Sequence, residues 1–295
     1  MHGVLNMNSS TIVKNLPAET GLLPPITGQT RIYGILADPI YHVKTPEVMN
    51  ALFKKHGVDG VLIPFHVKAA SLENLVAGLR HIENFQGFIA TVPHKTAMLA
   101  LCDEITDMAR HIGAVNCVRR QPDGRMVGAM LDGIGFVKAL GTKDVDLQGM
   151  SVYLAGAGGA ASAIAFALAE AGVKHITLAN RTNERAVTLM KRVKAAYPAL
   201  TLDTDAHRVA DHDLVINGTS LGMHKEDHPP LDFSQLHQDQ LVAEVIMDPA
   251  MTPLLEQAAK KGCRIFPGKP MLESQIVLMA QHLGALPTGK TGKNH

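Results

Sequence analysis

A chain of 295 residues is long enough for about two domains, and a hydrophobic fraction of 46% is ample for packed cores. Its 28 Lys and Arg nearly balance 27 Asp and Glu, so no global field draws it to nucleic acid or to an anionic membrane. The three cysteines, Cys102, Cys117 and Cys263, include no C-x-x-C pair and the 15 His form no H-E-x-x-H pattern, which argues against a disulfide framework and a metal site.

Residues 1–28 mix Asn, Ser, Thr, Pro and Gly without a hydrophobic signal core and read as a flexible arm. No run reaches the ~18 apolar residues of a membrane span, and a reducing cytoplasm is the expected setting. Residues 31–37 read as a first strand, followed by a loop through Pro39 to Thr45 and a helix from about Pro46, where proline suits the first turn. Residues 60–67 are strand-like, 69–81 helical, 87–91 a strand, and 95–101 start a helix behind Pro93. This alternation predicts an α/β layer with parallel strands. Residues 114–118 and, past the Pro122-Asp123-Gly124 turn, 126–128 lead to Leu131-Asp132-Gly133 and a connecting helix over 135–140.

The next stretch carries the sharpest chemical signal. Val152-Tyr153-Leu154-Ala155 is a buried-strand pattern, and Gly156-Ala157-Gly158-Gly159-Ala160-Ala161 turns it into an alanine-rich helix ending at Gly172. Glycines permit positive φ and close backbone approach, and the free N–H groups of the helix start face an anion, which is what a pyrophosphate needs. On its own, the run is also compatible with a tight turn that binds nothing. The following strand, residues 175–179, ends roughly 20 residues past the glycines, where an NAD site places an acid on the ribose. Here stand Asn180, Arg181, Thr182 and Arg185 instead. Two guanidinium groups suit a 2′-phosphate, so NADP(H) is favoured over NAD(H); the competing reading is a solvated helix start with Thr182 as its cap. Further strands are expected at 213–217, 241–246 and 264–266, and a last helix at 271–283 that packs back on the first domain. The domains are then 29–133 with 268–295 for substrate, and 134–267 for the nucleotide, in a two-domain α/β fold with a Rossmann-type half. The tail from Pro287 is turn-rich and expected to fray.

In order along the chain, V-P-H-K (92–95), I-G-A-V-N (112–116), L-D-G-I-G-F (131–136), the Gly156 loop, N-R-T-x-x-R (180–185), I-N-G-T-S-L-G-M (216–223) and M-L-E-S-Q (271–275) resemble the shikimate dehydrogenase family. The resemblance implies reversible hydride transfer between NADP(H) and a ring carbon of a hydroxylated cyclohexene carboxylate. Lys95 and Asp132 match the family's catalytic pair, although taken alone they read as a surface lysine and a turn or cap residue. Thr45, Thr91, Asn116 and Gln275 match substrate-binding positions. Gly156 to Ala160, Asn180 to Thr182, Arg185, Thr219, Gly222, Met223 and Gly268 fall on the cofactor side.

The chain also departs from the family pattern. Val43-Lys44-Thr45-Pro46 replaces a Ser-x-Ser before proline that holds the substrate carboxylate, and Ile89, Met130, Leu131 and Met247 replace polar or aromatic positions. These changes predict a more apolar wall around the pair, hence a paralogue whose substrate is less hydroxylated than shikimate or holds its carboxylate differently. A quinate dehydrogenase and a non-catalytic NADP-binding regulatory protein are the alternatives, and the chain is expected to act as a monomer or homodimer on a small molecule.

Overall fold

The structure, a computed structural model, describes residues 26–41, 43–224 and 226–288. The expected arm up to residue 25 and the tail from 289 lie outside the described residues.

The first half is built on β1 (Arg31–Ala37), β2 (Gly60–His66), β3 (Phe85–Ala90), β4 (Glu104–Ile105), β5 (Cys117–Arg120) and β6 (Met126–Ala129), in the order β2-β1-β3-β5-β6-β4. Strands β2 and β3 run parallel to β1, as the alternating pattern requires. Strand β5 runs antiparallel to both β3 and β6, so this sheet is mixed rather than parallel. The β5–β6 pairing has a local reason: Gly124, at φ +86°, donates its N–H to the Gln121 carbonyl, closing a turn too short for a crossover. Helices α1 (Thr45–Lys55), α2 (Leu72–Leu79), α3 (Met98–Leu101) and α4 (Asp107–Ile112) complete this half. The helix expected from residue 95 is a turn until Met98, and that turn places Lys95 outside regular helix.

The second half is a six-stranded parallel sheet of β7 (Ser151–Ala155), β8 (His175–Ala179), β9 (Thr201–Asp203), β10 (Leu214–Asn217), β11 (Leu241–Glu244) and β12 (Arg264–Phe266), ordered β12-β11-β10-β7-β8-β9. The order reverses direction between β7 and β10, which creates the crevice where doubly wound sheets bind ligands. Five helices belong to this half or join it to the first: α5 (Asp132–Gly141), α6 (Gly159–Glu170), α7 (Asn183–Ala196), α8 (Pro253–Lys260) and α9 (Lys269–His282). Residues 161–168 of α6 are all buried, so this helix is apolar all round, as a helix enclosed by protein must be. It packs on α5 at Gly133, where an added Cβ would fall 2.0 Å from the Ala163 carbonyl oxygen.

Helix α9 leaves the second sheet and packs against α5, α1 and β5. Its Ile276, Met279 and Ala280 share a core with Tyr33, Ile35 and Phe53 of the first half. No helix of the described residues is long and apolar enough to cross a membrane.

Candidate active site

Asp132 opens α5 immediately after β6, in the first turn, where the helix dipole favours a carboxylate. Only 4% exposed, it accepts from three side chains. Lys95 Nζ donates to Oδ2 at 2.6 Å, while the side-chain amides of Asn116 and Gln275 both donate to Oδ1. Asn116 is itself fixed, since its Oδ1 accepts the Leu131 N–H at 2.9 Å and its backbone N–H donates to the Ala129 carbonyl at 3.0 Å. A buried carboxylate of this kind is tolerated because charged and amide donors replace its lost hydration.

Lys95 owes its aim to the preceding turn. His94 is buried and its Nε2 pairs with the Val67 carbonyl at 2.8 Å, while its N–H donates to the Thr91 carbonyl at 2.8 Å. The Lys95 carbonyl accepts the Val115 N–H at 2.9 Å, tying the turn to the segment that carries Asn116. Sequence reasoning singled out Lys95 and passed over His94 as an anchor, although the two are adjacent.

These groups face a cavity of about 510 Å³ at the carboxyl ends of β1 and β3, also lined by Thr45, Thr91, Val43, Ile89 and Met247. The hydroxyls of Thr45 and Thr91 make no hydrogen bond among the described residues, which leaves both available to a ligand. Lys44 reaches the same cavity, exposed and without an ion partner among the described residues. Of the five apolar departures, Val43, Ile89 and Met247 line the cavity. Met130 and Leu131 pack instead into the two hydrophobic cores on either side of the β6–α5 junction.

The nucleotide-binding signature sits on the other sheet. Gly156, at φ +114°, donates its N–H to the Ala179 carbonyl at 2.6 Å, and a Cβ there would press to 3.0 Å from the Gly218 carbonyl oxygen. Chain packing therefore requires this glycine. At Gly158 and Gly159, by contrast, a Cβ would meet nothing within 4 Å. These two exposed glycines and Ala160 open the 12-residue helix α6, leaving bare backbone that an anion can approach. Ala157 and Arg185 line a second cavity of about 380 Å³ with Ser162, Thr188 and Arg192.

Asn180 follows β8 and donates through Nδ2 to the Thr182 carbonyl at 2.8 Å. Thr182 occupies the N-cap position of α7 without a side-chain cap bond, so its hydroxyl is not spent on the helix. Arg181 and Arg185 are exposed, and neither guanidinium has a hydrogen-bond or ion partner among the described residues. With no acid at the end of β8, these donors fit the 2′-phosphate of NADP rather than the bare ribose of NAD.

Across the crevice, β10 leads into Thr219, whose Oγ1 donates to Asn217 Oδ1 at 2.7 Å and accepts the Leu221 N–H at 3.0 Å. Gly222, at φ +113°, donates to Asp227 Oδ2 at 2.9 Å, and Met223 beside it is 49% exposed. Gly268 precedes α9, and a Cβ there would lie 2.4 Å from the Ile246 carbonyl oxygen. Close packing against the protein's own chain accounts for that glycine.

Residues 35–118 match the model of the shikimate dehydrogenase substrate binding domain, and 139–225 match that of shikimate / quinate 5-dehydrogenase. The shikimate dehydrogenase (NADP(+)) of Bacillus mycoides (strain KBAB4) is 38% identical over 254 residues, covering 84% of this chain and 90% of that protein. Among solved structures, the shikimate 5-dehydrogenase of Thermus thermophilus in complex with NADP(H) and shikimate superposes with a TM-score of 0.78 at 30% identity, over 87% of this chain and 94% of that one. The ligand-free 5-ketofructose reductase of Gluconobacter sp. strain CHM43 gives 0.81 at 33% identity, over 86% and 93%. On its sequence motifs, its two-domain fold and these likenesses, the chain belongs to the shikimate dehydrogenase family.

Proposed function

We propose that this chain is an NADP-dependent dehydrogenase that interconverts shikimate, or a closely related cyclic hydroxy acid, and its 3-dehydro ketone. The observation that carries the reading is the Lys95–Asp132 pair at 2.6 Å, inside a cavity whose rim on the nucleotide side is formed by Met247. Bound NADP supplies the hydride acceptor for oxidation and, when reduced, the donor for reduction.

The chain's own residues manage the proton and the pose. In reduction the Lys95 ammonium gives its proton to the ketone oxygen, and in oxidation the neutral amine takes the proton from the hydroxyl. Asp132 holds Nζ in place and offsets its charge, while Asn116 and Gln275 keep the carboxylate from rotating. The free hydroxyls of Thr45 and Thr91 bind the substrate's carboxylate and ring hydroxyls. Val43, Ile89 and Met247 give the rest of the cavity an apolar lining, and a bound substrate that displaces water from it strengthens each of these contacts.

Initial rates of NADP+ reduction with shikimate and with quinate, using NAD+ as the control cofactor, test the assignment. Turnover of shikimate with NADP+ is expected. Binding of NADP+ without turnover of either acid overturns the substrate assignment and leaves the cofactor half standing.

The same three apolar residues favour a second reading, a substrate less hydroxylated than shikimate or one that holds its carboxylate away from Val43. Deoxygenated and amino analogues run beside shikimate decide it. A clear preference for shikimate at ordinary efficiency removes this alternative.

A further inference from the structure

Two carboxylates are buried among the described residues, Asp132 and Glu244. The chemistry above uses only the first. Glu244 ends β11 and is 0% exposed, yet no cation lies in hydrogen-bonding contact with it among the described residues. Its four partners are all donors. Oε1 accepts the N–H groups of Val245 at 2.9 Å and Ile246 at 3.1 Å, and Oε2 accepts Asn217 Nδ2 and Thr252 Oγ1, each at 3.0 Å. Burial pushes this carboxyl up, and the donors act in the opposite sense.

The network continues outward in two directions. Asn217 passes it to the loop after β10: its Nδ2 also donates to the Leu221 carbonyl at 2.9 Å, and its Oδ1 accepts from Thr219 through both N–H and hydroxyl. That loop carries Thr219, Gly222 and Met223. On the other side, the Val245 and Ile246 amides fix the turn that leads to Met247, which walls the substrate cavity. The two sides touch, because a Cβ at Gly222 would lie 3.5 Å from Ile246 Cδ1 and from Thr252 Cβ. The Ile246 carbonyl in turn packs so closely on Gly268, which precedes the helix bearing Gln275, that a Cβ there would lie 2.4 Å from its oxygen.

We propose that Glu244 is a positioning residue for hydride transfer: one buried carboxylate sets the loop beside the nicotinamide end of the cofactor and the turn walling the substrate cavity in register with each other. The proposal rests on the cofactor placement given under the proposed function. A carboxylate suits the task because a site of four converging donors needs two acceptor oxygens. A glutamine would turn its own NH2 against two or more of them and leave buried groups unpaired, and such networks lose more than one bond when half satisfied. Constellations held by a supporting shell of this kind lose function on small displacements.

The test compares two ligands on the full chain by calorimetry: NADPH, and an adenosine bisphosphate carrying the 2′-phosphate but no nicotinamide. Glu244→Gln is expected to weaken NADPH about tenfold and to lower kcat by at least as much. The adenosine probe, which reaches only the Gly158 and Arg181 side, is expected to bind as in the parent chain. If Glu244→Gln does not fold, Thr252→Val removes one donor, together with the N-cap bond that its hydroxyl accepts from Leu255, at nearly constant volume, with the same pattern expected at smaller amplitude. Unchanged NADPH affinity and kcat in a folded variant overturn the proposal, and so does an equal loss for both ligands, which marks general loosening. Failure of the parent chain to turn over either acid would count against the substrate assignment alone, because the two affinities are read without turnover.

Discussion

Gly135 lies directly against Gln275: a Cβ added to the glycine would stand 2.9 Å from Gln275 Cβ and 3.1 Å from its Cα. Three residues earlier on the same helix is Asp132, whose Oδ1 accepts from Gln275 Nε2. The close crossing of α5 and α9 therefore delivers a side chain 143 residues away in sequence to the buried carboxylate. Gly135→Ala forces the helices apart, and kcat is expected to fall about tenfold. Overpacking costs about 1–3 kcal/mol and the better helix propensity of alanine returns about 1 kcal/mol, so the melting temperature is expected to move by only a few degrees. Gly141→Ala on the same helix, where a Cβ meets nothing within 4 Å, is the control, with kcat unchanged. Equal kcat in both variants would show that this crossing does not govern the site.

Lys95→Ala removes the proposed proton carrier and leaves the glycine-rich turn untouched. The expected loss in kcat is about 10²–10⁴-fold, with NADPH affinity, read by calorimetry, within about twofold of the parent value. Lys95→Met, which keeps the apolar stem, is expected to behave alike in kcat. A variant that retains parental kcat removes Lys95 from the mechanism.

Much of this was legible in the residues. The strand pattern at Val152 to Ala155 and the glycines behind it place the crevice, and Asn180 to Arg185 are the residues on which the expected preference for NADP rests. What stayed hidden depends on direction and distance. Five apolar departures look equivalent in the sequence, yet Val43, Ile89 and Met247 line the cavity, the first two also packing in a core, while Met130 and Leu131 pack in the cores alone. The short turn at Gly124 sets β6 antiparallel to β5, while the pairing of β5 with β3 depends on how the intervening helices return the chain, which no local pattern states. Strand β9, three residues of mixed polarity, has too short a pattern to register. Asn116 reads as a substrate contact from the family pattern; its bonds to Asp132 and Leu131 are made through tertiary contacts that no local pattern announces.

The unpartnered guanidinium groups of Arg181 and Arg185 predict a difference between cofactors. Charge-assisted hydrogen bonds of this kind contribute about 1.5–3 kcal/mol, so Arg181→Ala is expected to lower NADP+ affinity about 10–100-fold. NAD+ lacks the 2′-phosphate and is expected to bind the variant nearly as it binds the parent chain. Titration of both cofactors against both proteins checks this. Parallel losses would mean that Arg181 serves the pyrophosphate or the fold instead.

Buried His212 and half-buried His282 give stability a pH dependence whose sign follows from their loss of hydration. His212 Nδ1 lies 2.6 Å from the Arg208 carbonyl and its Nε2 2.9 Å from Thr177 Oγ1, while His282 Nε2 lies 3.0 Å from the Val127 carbonyl. Burial holds both below the ordinary value of 6.5. As pH falls through 6.5 the unfolded chain binds protons that the folded chain refuses, so stability is present above that value and lost below it. Glu244, raised above 4.5 by burial, works in the opposite sense: its proton is kept longer by the folded chain, and stability falls as pH rises past 4.5. Melting temperatures are therefore expected to decline as pH is lowered from about 7 to about 5.5, the range in which histidines titrate. His212→Asn keeps a donor toward the Arg208 carbonyl and removes the titration, so its melting temperature is expected to fall less steeply over the same range. An identical slope in the variant would remove His212 as a source of the effect, and a rise on acidification would reverse the sign argued from burial.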